Sequence, residues 1–178
     1  MNIDLTGKIA LVTGATGQLG RVMVRTLAEC GADMVIHYHK NSKKAEELHK
    51  EIVSSGRRAL IVQADITDFD SVMHMRDAVV KELGAPDIVV NNAVIQYNWT
   101  TVLEQPIEDY ESQFRSCVVH NVLMAKAFIP CMIEKGTEDL SGSTQNAPCR
   151  ISPPNPPMLQ VKGVWTEYTE SWPKKWEG

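Results

Sequence analysis

The 178-residue sequence has few of the features that would place a protein outside the cell, on nucleic acid or in a membrane. Its four cysteines are far apart and form no C-x-x-C pair, so neither a disulfide framework nor a thiolate metal site is predicted. Acidic residues outnumber basic ones by 22 to 18, so no basic surface for nucleic acid is predicted. No apolar run approaches the roughly 20 residues of a membrane span, and the N-terminus lacks the layout of a signal peptide. We therefore expect a cytoplasmic protein with neither a nucleic-acid nor a membrane partner.

Short apolar runs alternate with helical patterns along the first 136 residues. Four runs are typical of buried parallel strands, at residues 8–14, 34–38, 59–64 and 88–91. Four segments have helical periodicity, at residues 18–29, 42–54, 68–83 and about 108–135. Ser42 is the predicted N-cap of the second helix. This order predicts an α/β fold, a doubly wound parallel sheet of the Rossmann type with right-handed crossovers.

A glycine-rich loop follows the first predicted strand and opens the first predicted helix. Its sequence is Thr13-Gly14-Ala15-Thr16-Gly17-Gln18-Leu19-Gly20. Glycines in such a loop allow a tight turn, a close approach of the backbone to a pyrophosphate and close packing of helix on strand. The helix N-terminus adds N–H donors and a favourable dipole. An ordinary glycine-rich turn is the alternative, and the strands and helix around the loop argue against it.

Three further motifs follow at the positions expected of one family. Asp65-Ile66-Thr67 follows the third strand, Asn91-Asn92-Ala93-Val94 follows the fourth, and Asn121 lies in the long helix. Together with the glycine loop, they resemble the short-chain dehydrogenase/reductase family over residues 1–136. Two departures bear on the branch of the family. Val94 replaces the last glycine of N-N-A-G, and the spacing T-G-x-x-G-x-x-G is more common in the extended branch, whereas N-N-A favours the short one.

The resemblance implies a nicotinamide dinucleotide site and one residue of a proton relay. Asp65 corresponds to the family position beside the adenine ring, and Asn121 to the helix asparagine that bends the helix and holds a relay water. The expected cofactor-binding residues are Thr13, Gly14, Gly17, Leu19, Gly20, Lys40, Asn41, Ser42, Asp65, Ile66, Asn91 and Ala93.

The residues after the second strand bear on the choice of cofactor. A carboxylate there would bind the ribose 2′-hydroxyl and favour NAD(H). This chain has Lys40, Asn41 and Ser42 instead, which suit a 2′-phosphate, so NADP(H) is predicted over NAD(H). The alternative is that Lys40 is only a solvated loop lysine. His37 and His39 share a strand face without a third ligand, so we expect them to be structural and predict no metal site.

The catalytic residues that the resemblance implies are not found in this sequence. Family members transfer hydride between the nicotinamide and a carbonyl or alcohol, using a tyrosine acid/base, a lysine four residues later and a serine on the fifth strand. The residues four places after Tyr38, Tyr97, Tyr110 and Tyr168 are Ser42, Thr101, Phe114 and Trp172. We therefore expect the chain as written to be inactive, and a small-molecule carbonyl or alcohol to be the substrate only of an intact member.

The sequence changes character after Gly136. Residues 137–178 hold six of the nine prolines and three of the four tryptophans, which predicts a disordered tail beside a nucleotide-binding domain at residues 1–136. Codons for residues 157–164, read from each third base, permit Y-A-A-S-K-G-G, which contains Y-x-x-x-K. The same frame permits a strand-like string over residues 137–152 and a helix-like one after residue 164. We infer a frameshift near Gly136, with a natural alternative C-terminus as the rival explanation.

Three interpretations of the whole chain follow. The first is a truncated oxidoreductase, the second a non-catalytic nucleotide-binding or regulatory module, and the third an extended-branch epimerase, which would normally carry an acidic residue after the second strand. The helix over residues 117–133 is apolar on several sides and lacks the partner helix that would follow Y-x-x-x-K. We therefore expect the homo-oligomer interface of the family to be lost and the chain to be poorly soluble.

Overall fold

The strands of the sheet are the apolar runs that alternate with helices along the chain. The computed structural model describes residues 3–96, 98 and 100–136, together with the backbone of residues 139–141. The strands in this part of the chain are β1 (Ile9–Val12), β2 (Asp33–Tyr38), β3 (Ala59–Gln63), β4 (Ile88–Val90) and β5 (Asp139–Ser141). The first four are those predicted from the sequence, with slightly different bounds.

The helices also follow the predicted order. They are α1 (Gln18–Glu29), α2 (Ser42–Ser54), α3 (Phe69–Glu82), α4 (Ile107–Phe114) and α5 (His120–Lys135). A π-helical segment, Arg115–Val119, joins α4 to α5, so the predicted long helix is one run with a wider turn inside it. The run ends at Gly136, whose φ of 78° suits glycine.

All strand pairs are parallel, and the order across the sheet is β3-β2-β1-β4-β5. The order reverses at β1, because the chain moves outward from β1 to β3 and then crosses back to β4. Leu11 of β1 lies opposite Val35 of β2 on one side and Val89 of β4 on the other. Ligands of open α/β sheets bind outside the carboxyl ends of the strands at such a reversal. The predicted doubly wound fold is confirmed, and it directs attention to the edge beyond Val12 and Val90.

The two faces of the sheet carry separate halves of the core. Ile9 and Leu11 pack on α3 and α5, whereas Ala10 and Val12 pack on the opposite side with α1 and α2. The largest buried side chains of the first half include Val72, Met75, Met124 and Phe128, and those of the second include Val24, Met34, Ile36 and Leu48. A sheet covered on both faces needs apolar residues at every strand position, which is why these strands read as continuous apolar runs.

The strand β5 differs from the expectation for the tail. Strand periodicity is not visible after Gly136, yet Asp139–Ser141 pairs in parallel with β4, Leu140 lying opposite Val89. Three residues are too few for a periodic pattern, and the open edge of β4 offers backbone donors and acceptors to any segment that reaches it. The expectation of disorder therefore does not hold for these three residues, and the rest of the tail lies outside the described residues.

A buried carboxylate joins the start of β4 to the end of α5. The carboxylate of Asp87 accepts hydrogen bonds from the N–H of Ile9 at 2.9 Å and from Lys135 Nζ at 2.8 Å. Lys8 Nζ lies 3.4 Å from its other oxygen. Burial alone would raise the pKa of Asp87, but the bonds from Lys135 and Ile9 hold it below its ordinary value. The Lys135–Asp87 pair therefore fixes the end of α5 beside the sheet.

One helical run of the described residues, Ile107–Lys135, is long and apolar enough by composition to cross a membrane. No membrane span was predicted here from the sequence. The apolar character of the run has another explanation, because Met124, Phe128 and Met132 are buried against α3 and the sheet. A core helix of a water-soluble protein meets the same criterion, so the run is only a weak indication of a membrane.

Candidate functional site

Several predicted site residues meet at the carboxyl ends of β1 and β4. Thr13 directly follows β1, and its N–H donates to the carbonyl of Val90 at 2.9 Å. The buried Thr13 hydroxyl accepts hydrogen bonds from the N–H groups of Asn92 at 2.9 Å and Ala93 at 3.0 Å. This clamp joins the start of the glycine loop to the segment after β4.

Asn92 completes the clamp from the other side. Its Nδ2 donates to the carbonyl oxygen of Thr13 at 3.0 Å and to that of Gly14 at 3.4 Å. Asn92 is part of the N-N-A motif, but the predicted site residues there were only Asn91 and Ala93. The sequence signal that could have identified Asn92 is an amide side chain in the N-N-A motif after the fourth strand. A loop that makes few internal hydrogen bonds leaves carbonyl groups that need a side-chain donor.

Asn91 is buried at the end of β4 with its polar atoms unused. The residue is 2% exposed, and neither Nδ2 nor Oδ1 has a hydrogen-bond partner among the described residues. A buried polar group without a partner costs about 1–3 kcal/mol. We therefore expect Asn91 to gain partners when a ligand or ordered water fills the crevice.

The three glycines of the loop have different physical roles. Gly14 has a φ of +63°, and a Cβ there would lie 2.9 Å from Ala93 Cα. A Cβ on Gly20 would lie 2.3 Å from the Gly14 carbonyl oxygen, so Gly20 allows α1 to pack on the loop. A Cβ on Gly17 would meet only the Gly14 carbonyl oxygen, at 3.3 Å, and otherwise faces open space. Gly17 is therefore the glycine beside which a pyrophosphate has room, and Gly14 serves the turn.

The N-terminus of α1 is free to bind an anion. Gly17 is its N-cap and has no side chain to cap it, and no acidic residue lies in the first turn. The first N–H groups of a helix have no acceptor within the helix, and the dipole adds positive charge there. An anion at Gly17 would meet these donors directly. Leu19, 47% exposed in this turn, presents an apolar surface at the same place.

His37 holds the start of the loop against the sheet. Its Nδ1 accepts the N–H of Gly14 at 3.0 Å, and its Nε2 lies 3.1 Å from the carbonyl oxygen of Ala64. Its own carbonyl accepts the N–H of Ala15 at 2.9 Å. Burial lowers the pKa of His37 to about 4, so the ring is neutral at ordinary pH. His37 is thus held within the fold, as expected from the sequence, but its contact with the glycine loop was not anticipated.

The residues after β2 form an exposed, basic start to α2. Asn41 is the N-cap and accepts the N–H of Lys44 at 3.1 Å, so the predicted cap at Ser42 is wrong by one residue. The physical reason is that Ser42 already has helical backbone and lies at the first position of α2. Lys40 and Ser42 are exposed. Lys43 and Lys44, which were not among the predicted site residues, add two cations to a first turn without acidic residues.

Asp65 and Ile66 lie beyond the end of β3, at the same edge of the sheet. Asp65 Oδ1 accepts hydrogen bonds from the Thr67 N–H at 2.9 Å and the Thr67 hydroxyl at 2.7 Å, while Oδ2 lies 4.0 Å from His39 Nε2. Burial raises the pKa of Asp65, but the Thr67 hydrogen bonds and the nearby histidines lower it overall. Ile66 is only 7% exposed, so little of its side chain is open to a ligand.

Comparison with known proteins decides the family. The family model described as short chain dehydrogenase matches residues 8–139, which is most of the chain. The chain belongs to the short-chain dehydrogenase family. A hydroxynaphthalene reductase-like protein of Metarhizium robertsii is 37% identical over 111 residues, covering 62% of this chain and 41% of that protein. A versicolorin reductase of Emericella nidulans is 40% identical over 94 residues, covering 53% of this chain and 36% of that protein.

A solved relative shares the fold of this chain. The gluconate 5-dehydrogenase of Burkholderia cenocepacia, crystallised with NADP and tartrate, has a TM-score of 0.71 and 29% identity, covering 79% of this chain and 55% of that one. The chain thus spans about two fifths of the length of the curated relatives it matches. Residues 8–139, which match the family, contain the glycine loop and the strand ends around it.

Asn121, the predicted relay residue, is the second residue of α5, just after the π-helical segment. A π turn leaves carbonyl oxygens without their usual helical donors, and side chains supply replacements. Asn121 Nδ2 donates to the Cys117 carbonyl at 2.5 Å, and His120 Nδ1 lies 3.2 Å from the Ser116 carbonyl oxygen. Burial lowers the pKa of His120 to about 4. A π-helical turn therefore lies directly before the position where the resemblance implied a bend.

Neither of the described tyrosines is among the crevice residues named above. Tyr38 ends β2 and packs against the core under α1 and α2, and Tyr110 is in α4. Tyr97, Tyr168 and the side chains after Gly136 lie outside the described residues. Within the described part of the chain, His, Cys, Asp and Glu side chains form no group of three that could hold a metal.

Proposed function

We propose that residues 1–136 bind NADP(H), with the pyrophosphate against Gly17 and the first turn of α1. The observation that carries the proposal is the uncapped, acid-free N-terminus of α1 beside the open side of Gly17. Gly14, Gly20 and Thr13 support it by holding the loop in place, while Asn91 and Ala93 line the neighbouring strand end. A relative of the same fold was crystallised with NADP. When bound, the nicotinamide would supply the hydride-transfer chemistry.

The basic start of α2 supports a preference for NADP(H) over NAD(H). Lys40 and the N-cap Asn41 are exposed there, and Lys43 and Lys44 follow without an acidic residue in the first turn. The carboxylate at the end of β3, Asp65, is engaged by Thr67 and faces His39. A 2′-phosphate would therefore meet cations and helix N–H donors. In this proposal the adenine lies beside Asp65 and Ile66, as the resemblance implies, although little of the Ile66 side chain is exposed.

The preference is testable with a matched pair of lysine variants. Binding of NADPH and NADH is measured by calorimetry for the wild type, Lys40→Gln and Lys50→Gln, the last altering an exposed lysine two turns further along α2. Loss of one charged contact to phosphate is worth about 1.5 kcal/mol or more, so Lys40→Gln should weaken NADPH binding by about tenfold and leave NADH unchanged. Equal affinities of the wild type for the two cofactors would remove the case for Lys40, Asn41 and Ser42.

We further propose that the chain as written does not reduce or oxidise a substrate. Its 178 residues contain no tyrosine followed four places later by a lysine. Asn121 alone would remain of the relay. A frameshift near Gly136 accounts for the loss, because the shifted frame permits Y-A-A-S-K. The intact protein would act on a small-molecule carbonyl or alcohol in the cytoplasm and assemble through the interface that this chain lacks.

The second candidate is a nucleotide-binding module without catalysis, which the missing tyrosine and lysine favour. Both candidates predict an inactive 178-residue chain, so turnover by a version with a shifted reading frame separates them. The 178-residue chain and a version shifted by one step after Gly136 are expressed and assayed against a panel of ketones and alcohols. Loss of a catalytic unit costs about 10⁴–10⁶-fold, so only the shifted version should show NADPH-dependent reduction. Activity of the 178-residue chain would contradict the proposal, and a gene with no frame for Y-A-A-S-K would contradict the frameshift.

A further inference from the structure

One buried histidine contacts the backbone of the glycine loop and has no catalytic explanation. His37 is 1% exposed and lies on β2, with β1 and β3 as its neighbours on either side. Its ring connects the end of β1, through the Gly14 N–H, to the end of β3, through the Ala64 carbonyl. A single side chain therefore determines where the first turn of the loop sits relative to three strand ends.

The two hydrogen bonds define one state of the ring. The Gly14 N–H is a donor, so Nδ1 must be the unprotonated acceptor, at 3.0 Å. The Ala64 carbonyl is an acceptor, so Nε2 must carry the proton, at 3.1 Å. Only the neutral Nε2–H tautomer satisfies both. A second proton on Nδ1 would face the Gly14 N–H, and two donors would oppose each other.

The charged groups around His37 come from three sides. His39 directly follows β2, Asp65 lies beyond β3, and His120 approaches from the helix that packs on this face. Burial is the main reason that the pKa of His37 is lowered to about 4; His39 lowers it further, whereas the Ala64 hydrogen bond and Asp65 oppose the shift. Burial also lowers the pKa of His120, to about 4, so that ring carries no charge at neutral pH that would change the assignment.

We propose that neutral His37 is a positioning residue for the dinucleotide: it turns the Gly14 N–H inward, toward the sheet, so that the open side of Gly17 and the N–H groups of α1 face the pyrophosphate. The proposal rests on the proposed function of the glycine loop. The His37 ring orients the loop without touching the ligand. The Ala15 N–H, held by the carbonyl of His37 at 2.9 Å, adds a second point of attachment.

Two substitutions separate positioning from simple structural support. In His37→Asn the side-chain amide retains an acceptor and a donor, whereas His37→Leu retains the bulk and neither hydrogen bond. NADP⁺ affinity is measured by calorimetry at pH 7 and corrected for the folded fraction found by urea unfolding. We expect His37→Leu to bind about tenfold more weakly, the equivalent of one hydrogen bond, and His37→Asn to bind within about threefold of the wild type. A purely structural role would change the folded fraction and leave the corrected affinity unchanged.

The ring itself provides a readout that does not depend on the variants or on the cofactor. Nitrogen NMR of the wild-type protein at pH 6 should show His37 as the neutral Nε2–H tautomer. An Nδ1–H tautomer or a charged ring would overturn the proposal, as would wild-type affinity in folded His37→Leu or an equal loss in His37→Asn. If no variant and no wild-type sample binds NADP⁺, the proposed function fails. The tautomer and the acid dependence of unfolding then test the loop contact alone.

The pH dependence of unfolding is the second test that needs no cofactor. The folded pKa is about 4 and the ordinary pKa 6.5, so stability from His37 is fully present above pH 6.5 and declines as the pH falls toward 4. The unfolding equilibrium of the wild type should therefore increase on the order of 10²-fold more than that of His37→Asn between pH 7 and pH 4. Parallel pH profiles for the two proteins would contradict a neutral ring held on the loop.

Discussion

Gly20→Ala and Gly17→Ala alter the same loop by one methyl group each, with opposite expected consequences. The Cβ added in Gly20→Ala would lie 2.3 Å from the Gly14 carbonyl oxygen and 2.9 Å from Ala15 Cα, both backbone atoms. Backbone cannot rotate away as a side chain does, so α1 would have to move by about 1 Å off the loop. Overpacking of this kind costs about 1–3 kcal/mol, and we expect the upper part of that range.

Gly17→Ala should leave the fold intact and damage the site. Gly17 has a φ of −70°, which alanine adopts freely, and the added Cβ meets only the Gly14 carbonyl oxygen, at 3.3 Å. The reduced entropy of the unfolded chain and the poorer N-cap are effects of about 0.5–1 kcal/mol with opposite signs, so stability should change by less than about 1 kcal/mol. The methyl would occupy the space beside the α1 N–H groups. Loss of one or two charged hydrogen bonds weakens NADPH binding by about 10- to 100-fold.

The assay is a pair of measurements on each variant. Urea unfolding gives the change in stability, and calorimetry gives the NADPH affinity of the folded protein. The two effects are expected to separate: Gly20→Ala loses stability first, and Gly17→Ala loses affinity alone. A Gly17→Ala protein that binds NADPH as tightly as the wild type would refute the placement of the pyrophosphate. A Gly20→Ala protein of unchanged stability would refute the packing argument.

Substitutions at Asp87 and Thr13 and one measurement of self-association test the rest of the structure. Asp87→Asn should lower the free energy of unfolding at pH 7 by about 3 kcal/mol. It should also remove a loss of stability in acid, because a carboxylate with a lowered pKa stabilises the fold above its ordinary pKa and ceases to do so as the pH falls through its pKa in the folded state. Urea unfolding at pH 7 and pH 3 measures both effects. Thr13→Val leaves the N–H groups of Asn92 and Ala93 without their acceptor and should cost about 2 kcal/mol, while Thr13→Ser, which keeps the hydroxyl, should cost less; thermal unfolding compares them. The chain should self-associate through the apolar helix over residues 117–133, in which Ile133 is 67% exposed, so a monodisperse monomer in sedimentation would contradict the expected poor solubility.

The fold was predictable because its signals are local. Each strand buried on both faces reads as an apolar run, and each helix shows its own stripe, so Leu11, Val35 and Val89 indicate a core before any contact is known. The bounds of α2 are those predicted, residues 42–54, and only the cap was wrong by one residue, because Asn41 and Ser42 are both good caps. The strand at Asp139–Ser141 could not be predicted, because its pairing depends on the open edge of β4 and not on its own sequence.

The sequence identified candidate site residues, but it did not show how the fold holds each of them in place. Motif positions identified Thr13, Gly14, Gly17 and Gly20, yet their separate roles depend on distances that no spacing contains. A Cβ on Gly14 would meet Ala93, a packing role for this glycine that the motif alone does not reveal. His37 was expected to be structural, and its bond to the loop depends on the parallel register of β1, β2 and β3.

The central claim is that this chain binds a dinucleotide through the glycine loop and α1, and one titration tests it most directly. NADPH is titrated into the 178-residue protein in a calorimeter, without substrate, beside Gly17→Ala at the same concentration of folded protein. We predict saturable binding with one site per chain in the wild type and a loss of about tenfold or more in Gly17→Ala. Absence of saturable binding by the folded wild type, or binding that Gly17→Ala leaves unchanged, would contradict the claim.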